Sequence, residues 1–143
     1  MNNQEQQIQL RHLINEMIRL MNENDVLESA NIMADDILIV KQSGNALKKK
    51  EWINLYGSQY NLHSNKLMDI YNITISEDTG MGYVCYSTHT TFTNNNKYND
   101  NKAVNIAIFK KVDKKWKMSY LQSSSSNIIY WIIKLKISIG ILL

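Results

Sequence analysis

Over the first twenty or so residues, apolar side chains recur every three or four positions, at Leu10, Ile14, Met17, Ile18 and Met21. Coiled as an α-helix, residues 5–22 would carry them as one stripe, so a first helix facing the core is expected. Asn24 and Asp25 interrupt it, and Asp25 with Glu28 three residues later has the form of a capping box. A second helix is predicted from there, with Val26, Ala30, Met33 and Ala34 on one side and its end near the acidic pair Asp35 and Asp36. The continuous apolar run from Ile37 to Val40 then reads as a short buried strand, because β-branched residues favour extended backbone. Ser43, Gly44 and Asn45 supply turn chemistry, after which Trp52, Leu55, Tyr56 and Tyr60 return to helical spacing and predict a third helix.

From Lys66 onward the period shortens to two. Residues 66–75, 82–92, 103–112 and 115–123 read as four strands separated by turn-forming or polar stretches. The stretch from Ser76 to Gly82 suits a hairpin, Thr93 to Lys102 reads as a longer polar loop, and Asp113 to Lys115 closes the last pair tightly. Three helices followed by a run of strands predict an α+β domain in which an antiparallel sheet curls around the helices. The segment 126–143 stands apart. Ile133, Leu135, Ile137, Ile139 and Ile141 alternate with Lys134, Lys136, Ser138 and Gly140, the period of a strand with one buried face. Its apolar stretch is shorter than the roughly 20 residues of a membrane-spanning helix and contains two lysines, so an extra C-terminal strand is favoured over an anchor. Such a strand is expected to be covered by its own sheet or by a second subunit.

Composition changes this picture little. With 143 residues one hydrophobic core is expected, here over residues 5–125, and a formal charge of +3 at pH 7 does not call for a nucleic acid partner. The lone Cys85 cannot close an internal disulfide, and the polar opening residues carry no apolar leader, so a cytoplasmic setting is expected. His12, His63, His89 and Cys85 lack metal-ligand spacing, and no phosphate loop or Ser-His-Asp signature is present. No metal and no cofactor are assigned.

Two groups of residues remain as candidate chemistry. His89 lies on a predicted strand with Tyr83, Cys85 and Ser87 on its own face, a row that could line a pocket with His89 as a general base. Trp52, Tyr56 and Tyr60 form an aromatic stripe on the third helix, and Tyr120 belongs to the last strand, so Tyr56, Tyr60, Tyr83 and Tyr120 are the candidate ligand-binding residues.

The stretches "NDVLESANIMADDILIVKQSGNALKKKEW" and "FKKVDKKWKMSYLQS", in this order of elements, resemble the nuclear transport factor 2-like superfamily. The likeness is greatest to its SnoaL-like, ketosteroid-isomerase-like and calmodulin-kinase association-domain-like branch. The resemblance implies a cystatin-like cone with a pocket between sheet and helices, and frequent dimerisation. Its members include isomerases, cyclases, dehydratases and non-enzymatic assembly modules. In ketosteroid-isomerase-like members the base, the oxyanion-hole tyrosine and the companion acid would fall here near Lys41, Met17 and Ala107 or Ile108. None matches, and proton abstraction beside a carbonyl needs a base and donors for the developing oxyanion, so that chemistry is disfavoured. The resulting expectation is a homodimeric module with a pocket for a small apolar or aromatic molecule. The alternatives are a SnoaL-like enzyme using His89 and a pure oligomerisation domain.

Overall fold

The computed structural model of the chain describes residues 2–126, and the predicted C-terminal strand lies outside them. Helix α1 spans Asn3–Asn22 and starts where the Asn2 side chain accepts from the Glu5 amide. Its predicted stripe is its buried face: Leu10, Ile14, Met17, Ile18 and Met21 are all enclosed. Asp25 caps α2, Val26–Ala30, through the Glu28 amide, as its spacing predicts.

That second helix is shorter than its pattern suggests. Strand β1 already begins at Met33, in Met33–Val40, so Asp35 and Asp36 do not end a helix. Both stand exposed on the strand, Asp35 paired with Lys49 at 3.2 Å and Asp36 with Lys110 at 2.9 Å. Met33 and Ala34 fit either element because both are buried by the strand as they would have been by a helix. After the two-residue strand β2, Ala46–Leu47, the third helix α3 covers Lys49–Asn54 and opens into a single π-turn at Leu55–Gln59.

Four long strands follow: β3, Asn61–Ser76; β4, Met81–Asn94; β5, Lys97–Val112; and β6, Lys115–Ser125. The sheet order is β2-β1-β6-β5-β4-β3. Every neighbouring pair is antiparallel except β1 with β6, which run parallel. The polar loop expected from Thr93 to Lys102 is instead the tip of the β4–β5 hairpin. Asn95 and Asn96 both take positive φ, 52° and 62°, which makes the two-residue turn whose twist matches paired strands. Asp113 and Lys114 do the same at 51° and 67°, so that turn closes tightly without a glycine.

The sheet curls because β3 is longer than its partner. Register shifts at Leu62/Ser64, Leu67/Asp69 and Ile70/Asn72 insert an extra residue each time, and bulges bend and twist the strand that carries them. The inward residues of β3 are therefore Leu62, Asn65, Leu67, Ile70, Ile73 and Ile75, not every second one. α1 lies in the resulting trough against β3, closing one core around Leu10, Ile14, Val84, Tyr86, Phe109 and Met118.

Candidate functional site

Between α1, the α3 segment and the inner face of the sheet lies a cavity of about 280 Å³. Its apolar wall comes from Met17, Ile18 and Met21 of α1, from Ile39 and Leu47, and from Leu121 of β6. An aromatic ladder forms a second wall. Trp52 and Tyr56 stand 5.0 Å apart between ring centroids, Tyr56 and Tyr60 5.2 Å edge to face, and Tyr60 stacks on Phe92 of β4 at 4.4 Å. The π-turn carries the row across from helix to sheet: the Tyr60 amide donates to the Leu55 carbonyl, and the wider turn sets Tyr60 over β4.

A polar seam crosses the cavity floor. Asn105, 5% exposed, donates to Thr88 Oγ1 at 2.9 Å and accepts from Ser123 Oγ at 2.7 Å. Beside it Thr90 donates to Asn65 Oδ1 at 2.9 Å. Asn65 is fixed in turn by Asn22 at the end of α1: its amide donates to Asn22 Oδ1 and its carbonyl accepts from Asn22 Nδ2, both at 2.7 Å. These bonds satisfy polar groups that would otherwise be costly to bury. At the mouth, Lys41 Nζ donates to Tyr60 OH at 3.0 Å and lies 5.6 Å from that ring's centroid.

Of the described residues lining this cavity none is Asp, Glu, His or Cys, and Lys41 is the one charged residue. Burial pushes the Tyr56 hydroxyl up to about 12, with the neighbouring Tyr60 adding to the effect. Tyr56 is mostly buried, its ring held between those of Trp52 and Tyr60, which is the source of that rise. Tyr86, 2% exposed, is raised further, again by burial first and then by Tyr56. Both phenols are thus held neutral and do not act as bases. No group of three or more His, Cys, Asp or Glu that could hold a metal ion occurs among the described residues.

Of the residues singled out from the sequence, Tyr56 and Tyr60 line the cavity. The row Tyr83, Cys85, Ser87 and His89 does share one face, and that face is the outer one. Tyr86, Thr88, Thr90 and Phe92 point inward instead. His89 meets Asp100 there, Nε2 to Oδ1 at 2.5 Å. Tyr120 is also on the outer face, donating to Gln122 Oε1 at 2.8 Å, because a register shift after Ile108 sets it opposite that residue. Tyr83 borders a separate shallow hollow of about 400 Å³ with Met81, Ile106 and Ile108. Lys41, Asn65, Thr88, Thr90 and Asn105 were not predicted as site residues. The deciding signal lay in β4, where Val84, Tyr86 and Phe92 make the inner set the more apolar of the two.

Comparison with known proteins gives the fold its relatives. The model of the family "Protein of unknown function (DUF3804)" matches residues 5–131. Among solved structures, an NTF2-like (nuclear transport factor 2-like) protein of unknown function from Prochlorococcus marinus is 27% identical. That match covers 69% of this chain and 79% of the other, with a TM-score of 0.61. A candidate calmodulin-dependent kinase II association domain from Exiguobacterium sibiricum is 12% identical over 87% of this chain and 96% of its own, TM-score 0.75. A candidate scytalone dehydratase from Novosphingobium aromaticivorans is 13% identical over 87% and 86%, TM-score 0.69. No curated protein matches the chain.

Proposed function

The chain belongs to the DUF3804 family and has the NTF2-like, cystatin-like α+β fold, and from that premise we propose that it is a ligand-binding module for a small apolar or aromatic molecule. The observation that carries this reading is the cavity itself, walled by an aromatic ladder and α1 and floored by a hydrogen-bonded polar seam. Concave apolar sites with a few placed polar groups are where small ligands bind. A dehydratase among the structural neighbours raises a catalytic alternative. The lining, however, offers no imidazole or carboxylate, and His89 would serve only a substrate on the outer face.

Native mass spectrometry of the purified protein, joined to thermal melts with a panel of one- and two-ring aromatic compounds, tests the proposal. A ligand bound to N and not to U raises the melting temperature, and Ala103→Phe, which fills the cavity, should abolish the shift. A panel that leaves the wild type unmoved, with no small molecule retained, overturns it.

The same module is proposed to pair with a second copy through the outer face of the sheet. Met81, Tyr83 and Ile106 are 41%, 38% and 43% exposed there around the apolar hollow, and Leu38, 42% exposed, lies on the same face opposite Tyr120. Large apolar side chains clustered on an open sheet face mark an association surface, and one structural neighbour is a candidate association domain. Analytical ultracentrifugation giving a monomer at every concentration would refute the pairing.

A further inference from the structure

We infer that the cavity selects a monocarboxylate, an acid on a one- or two-ring aromatic or similarly apolar body, with its carboxylate at Lys41 and Tyr60. This inference deepens the ligand-binding reading and rests on it. Three observations lead to it. The first is charge. Lys41 is the sole charged residue lining the cavity, and no carboxylate lies within ion-pairing distance of its ammonium among the described residues. A partly buried cation without a counter-ion attracts an anion, more strongly than at an open surface because less water screens it.

The second is the direction of the free hydrogen-bonding groups. Tyr60 OH accepts from Lys41, so its own O–H is left to donate, and the ammonium keeps donors beyond that one bond. Two donors side by side at the mouth suit the two oxygens of a carboxylate. Deeper in, Thr88 Oγ1 accepts from Asn105, which leaves the Thr88 O–H to donate as well. The site therefore asks for acceptors at both ends, with an anion at one and an oxygen substituent at the other.

The third is size and shape. At about 280 Å³ the cavity falls just below the roughly 300 Å³ where drug-sized pockets begin. The rings of Tyr56, Tyr60 and Phe92 give it flat, apolar sides suited to a small ring. A lone lysine with a phenol, lacking any guanidinium or helix N-terminus, matches one negative charge better than a phosphate's two.

Isothermal titration of the full chain with paired probes, benzoate against benzamide and 2-naphthoate against 2-naphthamide, tests the inference. Each pair has nearly the same shape and differs in charge. The acid of at least one pair is expected to bind tenfold or more tightly than its amide, in line with a charge-assisted hydrogen bond. That preference should vanish in Lys41→Met and shrink in Tyr60→Phe. Amides that bind as well as the acids, or a preference that survives Lys41→Met, overturn the inference while leaving the cavity a ligand site. Silence from all four probes, with no compound of the wider panel stabilising the protein, sinks the binding reading as well. The wild-type comparison stands even should a variant fail to fold.

Discussion

Gly82 is a point of close approach between α1 and the sheet. A Cβ placed on it would lie 2.8 Å from Leu10 Cδ1 and 2.9 Å from Ile75 Cδ1, with the Thr74 carbonyl oxygen at 3.3 Å. Apolar carbons settle roughly 3.5–4.0 Å apart, so both carbon contacts would be short by at least about 0.6 Å. Both contacts are with the ends of flexible side chains, but Leu10 is 0% and Ile75 8% exposed, so each would have to shift against packed neighbours. Overpacking of this kind costs about 1–3 kcal/mol. The lower entropy of an unfolded chain with alanine returns about 0.4–1 kcal/mol. Gly82→Ala is thus expected to destabilise the fold by about 1–2 kcal/mol and to lower the melting temperature by roughly 3–10 °C. Urea and thermal unfolding followed by circular dichroism would measure both. The cause is checked by a double-mutant cycle with Leu10→Ala, which clears the nearest contact and should make the pair less costly than the sum, by about 0.5 kcal/mol or more. A Gly82→Ala protein as stable as the wild type, with no coupling to Leu10, would show that α1 sits more loosely than described. Because α1 carries Met17, Ile18 and Met21 into the cavity wall, it would also show that the cavity height is not fixed by this contact.

Four further expectations can be checked independently. Asn105→Leu leaves Thr88 without its donor and Ser123 without its acceptor, and chemical denaturation should show a loss of about 1–3 kcal/mol. The raised phenols of Tyr56 and Tyr86 stay protonated in the fold after the unfolded chain has begun to lose those protons. Their stabilisation is therefore complete below pH 10 and is lost as pH rises from 10 through about 12. Melting temperatures across that range should fall less steeply in Tyr56→Phe/Tyr86→Phe, and parallel curves would contradict the burial of these hydroxyls. Ile106→Glu, on the open face, should turn a dimer into a monomer in sedimentation experiments without lowering ligand affinity. His89→Ala should leave binding in the cavity unchanged, since His89 and Asp100 form an exposed pair on the opposite face; a large loss would reassign the site.

Much of this fold was legible because its helices and strands obey simple periods. The stripe of α1, the Asp25 cap and the four long strands follow from spacing alone. The acidic pair misled because Met33 and Ala34 suit a buried strand as well as a helix, and pairing with β6 decided between them. The hairpin tip from Thr93 to Lys102 read as a loop because its side chains are polar. What sets it is the backbone tolerance of Asn95 and Asn96 for positive φ, together with a ladder to β4 that no single stretch reveals. The site was half visible. Tyr56 and Tyr60 stood out as a stripe, whereas Thr88 and Asn105 became site residues only once the inner face of β4 was known. Alternation groups residues by face without saying which face is inside. In β4 the answer depended on weighing Val84, Tyr86 and Phe92 against a more eye-catching row ending in His89.

The bulged strand β3 also has an evolutionary consequence. From Asn61 opposite Thr93 to Ser76 opposite Met81, it uses three residues more than the strand beside it. Each extra residue resets which neighbours face the cavity and which face water. A one-residue deletion at Met68 would therefore not merely shorten β3. It would remove one bulge, so that Leu67, Asp69 and Ile70 alternate plainly in the same register and the bend there is lost while the other residues keep their faces. A single-residue gap at one of these three positions in a relative would mark a bulge lost and a change in cavity shape. The strand is a place where the smallest possible insertion can retune a binding site while the turns at either end stay as they are.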